Sequence, residues 1–157
     1  MGMVPKDTPR IAVFGGRVST GSLLDVAYDV GREIALRKAI LYCGGMGGVM
    51  EAASRGAMEN HGITVGILPT AAADSANPYI TIPIVTGIGT ARNYIIARSV
   101  DAAIAINGKY GTLSEIAYSL DFNKPVIGIQ TWDIKGVIQA ENATEALNKL
   151  WEICQWG

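Results

Sequence analysis

The chain has 157 residues, of which 49% are hydrophobic and 17% charged, and its formal net charge is −1. That composition excludes an intrinsically disordered chain, and the near-neutral charge argues against a duplex-binding surface. No apolar run reaches the ~18 residues of a membrane span, so neither nucleic acid nor membrane is expected as a partner.

In chain order, the opening MGMVPKDTPR carries no apolar stretch of signal-peptide kind. Its Met-Gly start lacks the hydroxyl residue that N-myristoylation uses. RIAVF (10–14) then predicts a buried strand, and residues 22–38 a helix with Leu23, Val26, Ala27, Val30 and Ile34 on one stripe. AILYC (39–43), a helix over 47–60 and ITVGIL (63–68) follow. Residues 70–80 have no period and contain the breaker Asn77-Pro78, which suggests a surface loop able to act as a lid. IPIVT (82–86) predicts a strand, 90–99 a helix, DAAIAI (101–106) a strand and 112–121 a helix burying Leu113, Ile116, Ala117 and Leu120. PVIGIQ (125–130) is the last strand, and 142–154 a closing helix burying Ala146, Leu147, Leu150 and Trp151. Strands apolar on every residue are strands covered on both faces. Alternation with helices then gives an α/β doubly wound parallel sheet, one domain over 1–157.

In a parallel sheet all strand-to-helix turns lie at one edge, where ligands bind. Ten of the nineteen glycines fall in four such turns: Gly15 and Gly16; Gly44, Gly45, Gly47 and Gly48 around Met46; Gly87 and Gly89; and Gly108 and Gly111. Glycine lets a ligand reach backbone N–H groups. The helix start that follows carries about half a positive charge, which favours phosphate. Across residues 14–20, 43–49, 86–93 and 107–112 the charged residues are Arg17, Arg92 and Lys109, with no acid among them. A phosphate-bearing small ligand is therefore expected. GRVSTGS (16–22) has Walker-type spacing without its lysine, and GGMGG is not the dinucleotide fingerprint.

GGMGGVMEAASRGA, IPIVTGIGTARNYIIARS and NGKYGTLSEIA together resemble the superfamily that joins Lonely Guy (lysine-decarboxylase-like) phosphoribohydrolases with molybdenum-cofactor carrier proteins, over about residues 10–130. In the hydrolases the motifs look like Met-His-x-Arg-Lys and Pro-Gly-Gly-x-Gly-Thr-x-x-Glu. Here Arg92 remains beside Asn93 without the Met-His or the lysine, and Gly108, Gly111, Thr112 and Glu115 remain while Asn107 and Lys109 replace Pro and Gly. The middle of the chain is closer to the carriers. The resemblance implies a Rossmann-like fold, a homo-oligomer, and a phosphorylated pterin such as the molybdenum cofactor as carried ligand. No other cofactor is expected. If the chain is instead a hydrolase, the resemblance implies cleavage of a nucleoside 5′-monophosphate to free base and ribose 5-phosphate, with Arg92 and Glu115 catalytic. DNA handling by a related domain finds no basic patch to support it.

Each singled-out residue has two readings. Arg92 grips a phosphate, or is a solvated residue in an electrostatically unfavourable first turn. Glu115 serves a sugar hydroxyl, or closes a capping box with Thr112. Thr90 bonds a phosphate or caps its helix; Lys109 contacts an anion or is solvated. Tyr94, Ile95, Ile96 and Ala97 pack in the core or form an oligomer contact. His61 falls at the far edge of the sheet, away from catalysis. With one histidine and only Cys43 and Cys154, no metal site and no Ser-His-Asp set is expected. Both cysteines read as buried thiols of a reducing, cytoplasmic setting.

Overall fold

In a computed structural model that describes residues 4–17 and 19–157, strands and helices alternate much as the pattern predicts. The Met-Gly start and Val18 of the first glycine turn lie outside the described residues. The elements are β1 (Arg10–Gly15), α1 (Gly21–Leu36), β2 (Ile40–Cys43), α2 (Val49–Met58), β3 (Ile63–Leu68), β4 (Ile82–Val85), α3 (Arg92–Ser99), β5 (Ala102–Ile106), α4 (Tyr110–Asp121), β6 (Val126–Ile129), β7 (Val137–Gln139) and α5 (Ala143–Cys154). Short 3₁₀ turns precede β4 (Ala73–Ser75) and α3 (Gly89–Ala91). The seven strands form one parallel sheet in the order β4-β3-β2-β1-β5-β6-β7. This is an α/β Rossmann-like fold.

Two cores flank the sheet. On one face α1, α2 and α5 cover Ile11, Val13, Leu41, Ile104 and Ile106. On the other α3 and α4 cover Ala12, Phe14, Val65, Ala103 and Ala105. Each central strand thus sends alternate residues into different cores, and both sets must be apolar. The expected α1 stripe is present, with Ala27, Val30 and Ile34 fully buried and Leu23 and Val26 packed against them.

Four expectations are corrected. β7 was not anticipated, because three residues after Gly136 leave too short an apolar run to read. β4 is apolar yet exposed at every residue, since it is the uncovered edge of the sheet. Cys43 is buried but Cys154 only half-buried, near the end of α5. The stripe of α4 is rotated: Thr112, Glu115, Ile116 and Ser119 are buried, whereas Ala117 is exposed. Among the described residues no helix is long and apolar enough to cross a membrane.

Ile104 lies at the centre of β5, is fully buried and pairs with Val13 and Ile127. Ile104→Ala is expected to cost about 2–5 kcal/mol through lost contacts and a cavity the flanking strands cannot close. Urea unfolding should show a lower midpoint with an unchanged m-value.

Candidate functional site

β1 and β5 run side by side, with Ile11 opposite Ala102 and Gly15 opposite Ile106. That register brings the first glycine turn beside the fourth. The helices that follow leave to opposite faces, α1 with α2 and α5, α4 with α3. A crevice has to open where they part, at the switch point of the strand order. It is a cleft of about 560 Å³, within the size range of small-ligand sites.

Of the residues expected to meet ligand, Gly15, Gly16, Arg17, Thr90, Arg92, Asn93, Gly108, Lys109, Gly111 and Thr112 line this cleft, together with Glu115. Met50, Pro69 and Asn107 complete the lining. The second turn (Gly44, Gly45, Met46, Gly47 and Gly48) and Gly87 and Gly89 are not part of it.

The second turn is held by the chain itself. The Gly45 N–H donates to Cys43 Sγ at 3.3 Å, and the Val49 N–H to the Gly16 carbonyl at 3.0 Å. Asn77 donates its backbone N–H to the Gly45 carbonyl (2.8 Å) and its side-chain amide to the Met46 carbonyl (2.9 Å). Gly48 adopts φ 66°, and a Cβ there would collide with the backbone of Gly16 and Arg17. A Cβ on Gly44 would collide with the guanidinium of Arg92. These glycines therefore let turn two pass under turn one and make room for Arg92. The same bonds from Asn77 fix one end of the 70–80 loop, the segment the sequence suggests as a lid. That loop is pinned to turn two, and at its start the Thr70 carbonyl accepts from the N–H groups of Thr86 and Gly87.

Arg92 opens α3 and is only 7% exposed, so it is no solvated surface residue. Its Nη2 donates to the Gly44 carbonyl at 3.3 Å and its Nη1 to Asn93 Oδ1, while Nε–H has no partner among the described residues. Asn93 Nδ2 donates to Ser114 Oγ at 3.1 Å, and Ser114 Oγ to the Gly111 carbonyl at 2.6 Å. This chain of bonds ties the start of α3 to the first turn of α4.

Neither proposed cap forms. α4 begins at Tyr110, with Lys109 at the cap position and no side-chain cap, so Thr112 and Glu115 already lie inside the helix. Thr90 sits in the 3₁₀ turn and caps nothing, for α3 has no side-chain cap either. A side-chain cap does form at α5, where Asn142 Oδ1 accepts the Glu145 N–H at 2.9 Å, and Glu145 Oε2 accepts the N–H of Glu141, the residue before the cap, at 3.3 Å. Freed from capping, Glu115 faces the cleft with 7% exposure. His61 lies where α2 runs out, at φ 63°, and does not line the cleft.

Charge in the cleft is uneven. Three cations, Arg17, Arg92 and Lys109, share it with one carboxyl, Glu115. Burial pushes Glu115 up to about 8, with Arg92 pulling the other way. Burial also pushes the Arg92 guanidinium below its ordinary value, with Glu115 opposing; an arginine stays protonated all the same. Glu115 is therefore mostly neutral at pH 7, a hydrogen-bond donor in place of an anion.

A carboxyl whose folded value is raised binds its proton more tightly in the native state. Its contribution is fully present below the unfolded value near 4.5 and is lost as pH rises through about 8. Glu115→Gln is therefore expected to match the wild-type protein in stability near pH 4.5 and to exceed it at pH 9. At about 1.4 kcal/mol per pKa unit the gain has an upper bound of roughly 5 kcal/mol. Urea unfolding at the two pH values measures the gap.

Residues 8–153 match the family model of the SLOG cluster4 family. The chain is similar to the molybdenum cofactor binding protein from the phototrophic bacterium Rippkaea orientalis, with 36% identity and a TM-score of 0.90 over 96% of this chain and 99% of that one. It is similar to the Moco carrier protein from Chlamydomonas reinhardtii, with 32% identity and a TM-score of 0.86 over 94% of this chain and 98% of that one. It is also 32% identical, over 112 residues, to a probable cytokinin riboside 5′-monophosphate phosphoribohydrolase of Oryza sativa subsp. japonica; the match covers 68% of this chain and 49% of that relative. With nearly its whole length matched by one family model, the chain belongs to the SLOG cluster4 family.

Proposed function

We propose that the cleft between the first and fourth turns binds a phosphorylated pterin of the molybdenum-cofactor kind, and that the chain holds this ligand and passes it on. The observation that carries the reading is Arg92: a buried guanidinium at the cleft whose Nε–H has no partner among the described residues. A buried charged group with an unused donor is costly unless something accepts from it. A phosphate supplies that acceptor, with the free N–H groups at the start of α4, the guanidinium of Arg17 and the ammonium of Lys109 as further partners. Glu115, held neutral, does not repel the anion and can donate to it. The two carrier-like structures support a pterin in particular.

A second reading is an N-glycosidic phosphoribohydrolase acting on a nucleoside 5′-monophosphate. One observation favours it: Glu115 is buried in the same cleft as Arg92 without closing to an ion pair. In that role Arg92 would orient the phosphate, and Glu115 would engage a ribose hydroxyl as the glycosidic bond breaks. The rice relative supports it. The carrier reading is preferred because the Met-His pair, the lysine after Arg92, and the proline and second glycine of the second motif (here Asn107 and Lys109) are absent.

A homo-oligomer also fits. Exposed Ile82, Ile84 and Val85 on edge strand β4, and Tyr94 and Tyr118 on α3 and α4, form apolar surface that a second copy could cover. The two free thiols suit a reducing, cytoplasmic setting.

The isolated molybdenum cofactor should bind the wild-type protein, and Arg92→Ala should weaken that binding roughly 10- to 150-fold, the value of a charge-assisted hydrogen bond. Affinity for a phosphate dianion should fall as pH rises through about 8, because Glu115 then becomes an anion; Glu115→Gln should flatten that fall. Incubation with adenosine monophosphate separates the two readings. Release of free adenine that Glu115→Ala abolishes would replace the carrier with the hydrolase. Absence of cofactor binding by folded protein would remove the carrier.

A further inference from the structure

Tyr110 is 79% exposed, the most exposed large hydrophobic side chain among the described residues. It lies between Lys109 and Gly111, both of which line the cleft. It is the first residue of α4, where a tyrosine serves no capping purpose.

The loop that carries it is braced from behind. The Asn107 N–H donates to the Ile129 carbonyl at 3.0 Å, and Asn107 Nδ2 to the Gln130 carbonyl at 3.2 Å. Thr131 Oγ1 donates to the Asn107 carbonyl at 2.6 Å, and Trp132 Nε1 to the Lys109 carbonyl at 3.1 Å. Asn107 and Gln130 both take left-handed backbone conformations to make this possible, at φ 49° and 48°. Trp132 packs inward on the core beneath α3 and α4. The Tyr110 ring leans on the indole, with centroids 6.0 Å apart and planes 35° from parallel. The exposed ring is thus braced by Trp132 beside the turn whose Lys109 and Gly111 line the cleft, although Tyr110 itself is not part of that lining.

We infer that Tyr110, propped by Trp132, is the stacking platform for the planar heterocycle of the ligand whose phosphate enters the cleft. This rests on the cleft being a phosphate site. An aromatic face held rigid loses little entropy on binding, and stacking tolerates any flat ring. A phosphate seated at the amides of the 108–112 turn leaves the attached ring system beside Tyr110. The cleft thereby divides its work. Arg92 and the turn amides hold the anion, and Tyr110 recognises that a flat ring is attached to it.

Isothermal titration with two probes tests this: pterin-6-ylmethyl phosphate, which carries both groups, and methyl phosphate, which lacks the ring. Tyr110→Ala should weaken the pterin probe roughly 5- to 150-fold and leave methyl phosphate within about twofold. Tyr110→Phe should keep most of the pterin affinity, since it keeps the ring. As an exposed residue, Tyr110 should be replaceable without unfolding, which circular dichroism and the urea midpoint verify. The platform is overturned if Tyr110→Ala binds the pterin probe as the wild-type protein does, or if the wild-type protein binds the two probes equally well. It is also overturned if Tyr110→Ala changes the oligomeric state and not the affinity, which would make the ring a contact between copies. If the wild-type protein binds neither probe, the phosphate site itself falls and the platform with it.

Discussion

β1 is the strand at which the chain turns back across its own sheet, and the candidate site exists because of that reversal. From β1 the strand order runs outward to β4 on one side and to β7 on the other. The connections on the two sides cover opposite faces. The first and fourth turns are brought level by the β1–β5 register, yet the helices they feed point apart. Helix starts with unused N–H groups therefore face a gap that the fold cannot fill with its own side chains.

What the chain places at that gap is a buried charge. Arg92 is reached by Gly44 from below and by Asn93 alongside, and Asn93 extends the chain of bonds to Ser114 and the Gly111 carbonyl. Taking a guanidinium out of water is expensive, and two hydrogen bonds do not use all of its donors. Glu115 is near enough to feel Arg92 but does not close on it, and burial outweighs the attraction in setting its proton affinity. Such an arrangement leaves both groups with unused capacity. Buried polar groups left with unused hydrogen-bonding capacity are uncommon in a folded core, and here two of them share one cleft.

The glycine-rich turns divide into two kinds of work. The first and fourth line the cleft. The second, richest in glycine, faces inward: it accepts Asn77, supports Gly16 and yields space to Arg92. What it contributes to the cleft passes through the arginine it seats. In the same way the 129–132 segment does not enter the cleft but holds the loop that does.

The order of strands and helices, the parallel sheet and the edge at which the glycine turns gather are legible in the residues themselves, because unbroken apolar runs and 3.6-residue stripes report burial directly. Arg17, Arg92 and Lys109 also stand out in the sequence, as the cations among glycines. Other features were legible only in three dimensions. Thr112-Leu113-Ser114-Glu115 spells a cap, and nothing local shows that α4 starts two residues earlier at Tyr110 and turns Thr112 and Glu115 inward. Periodicity likewise assigned Ala117 to the core, because it counts apolar residues and cannot see a polar stripe kept buried for a cleft. Asn77 and Trp132 come from loops, and Met50 from the first turn of α2, all far away in the chain. The sequence by itself therefore determined which faces are apolar and where the chain must turn. Tertiary structure alone decided which turns meet and which side chains lose their water, because both depend on strand order and register, which no local pattern encodes.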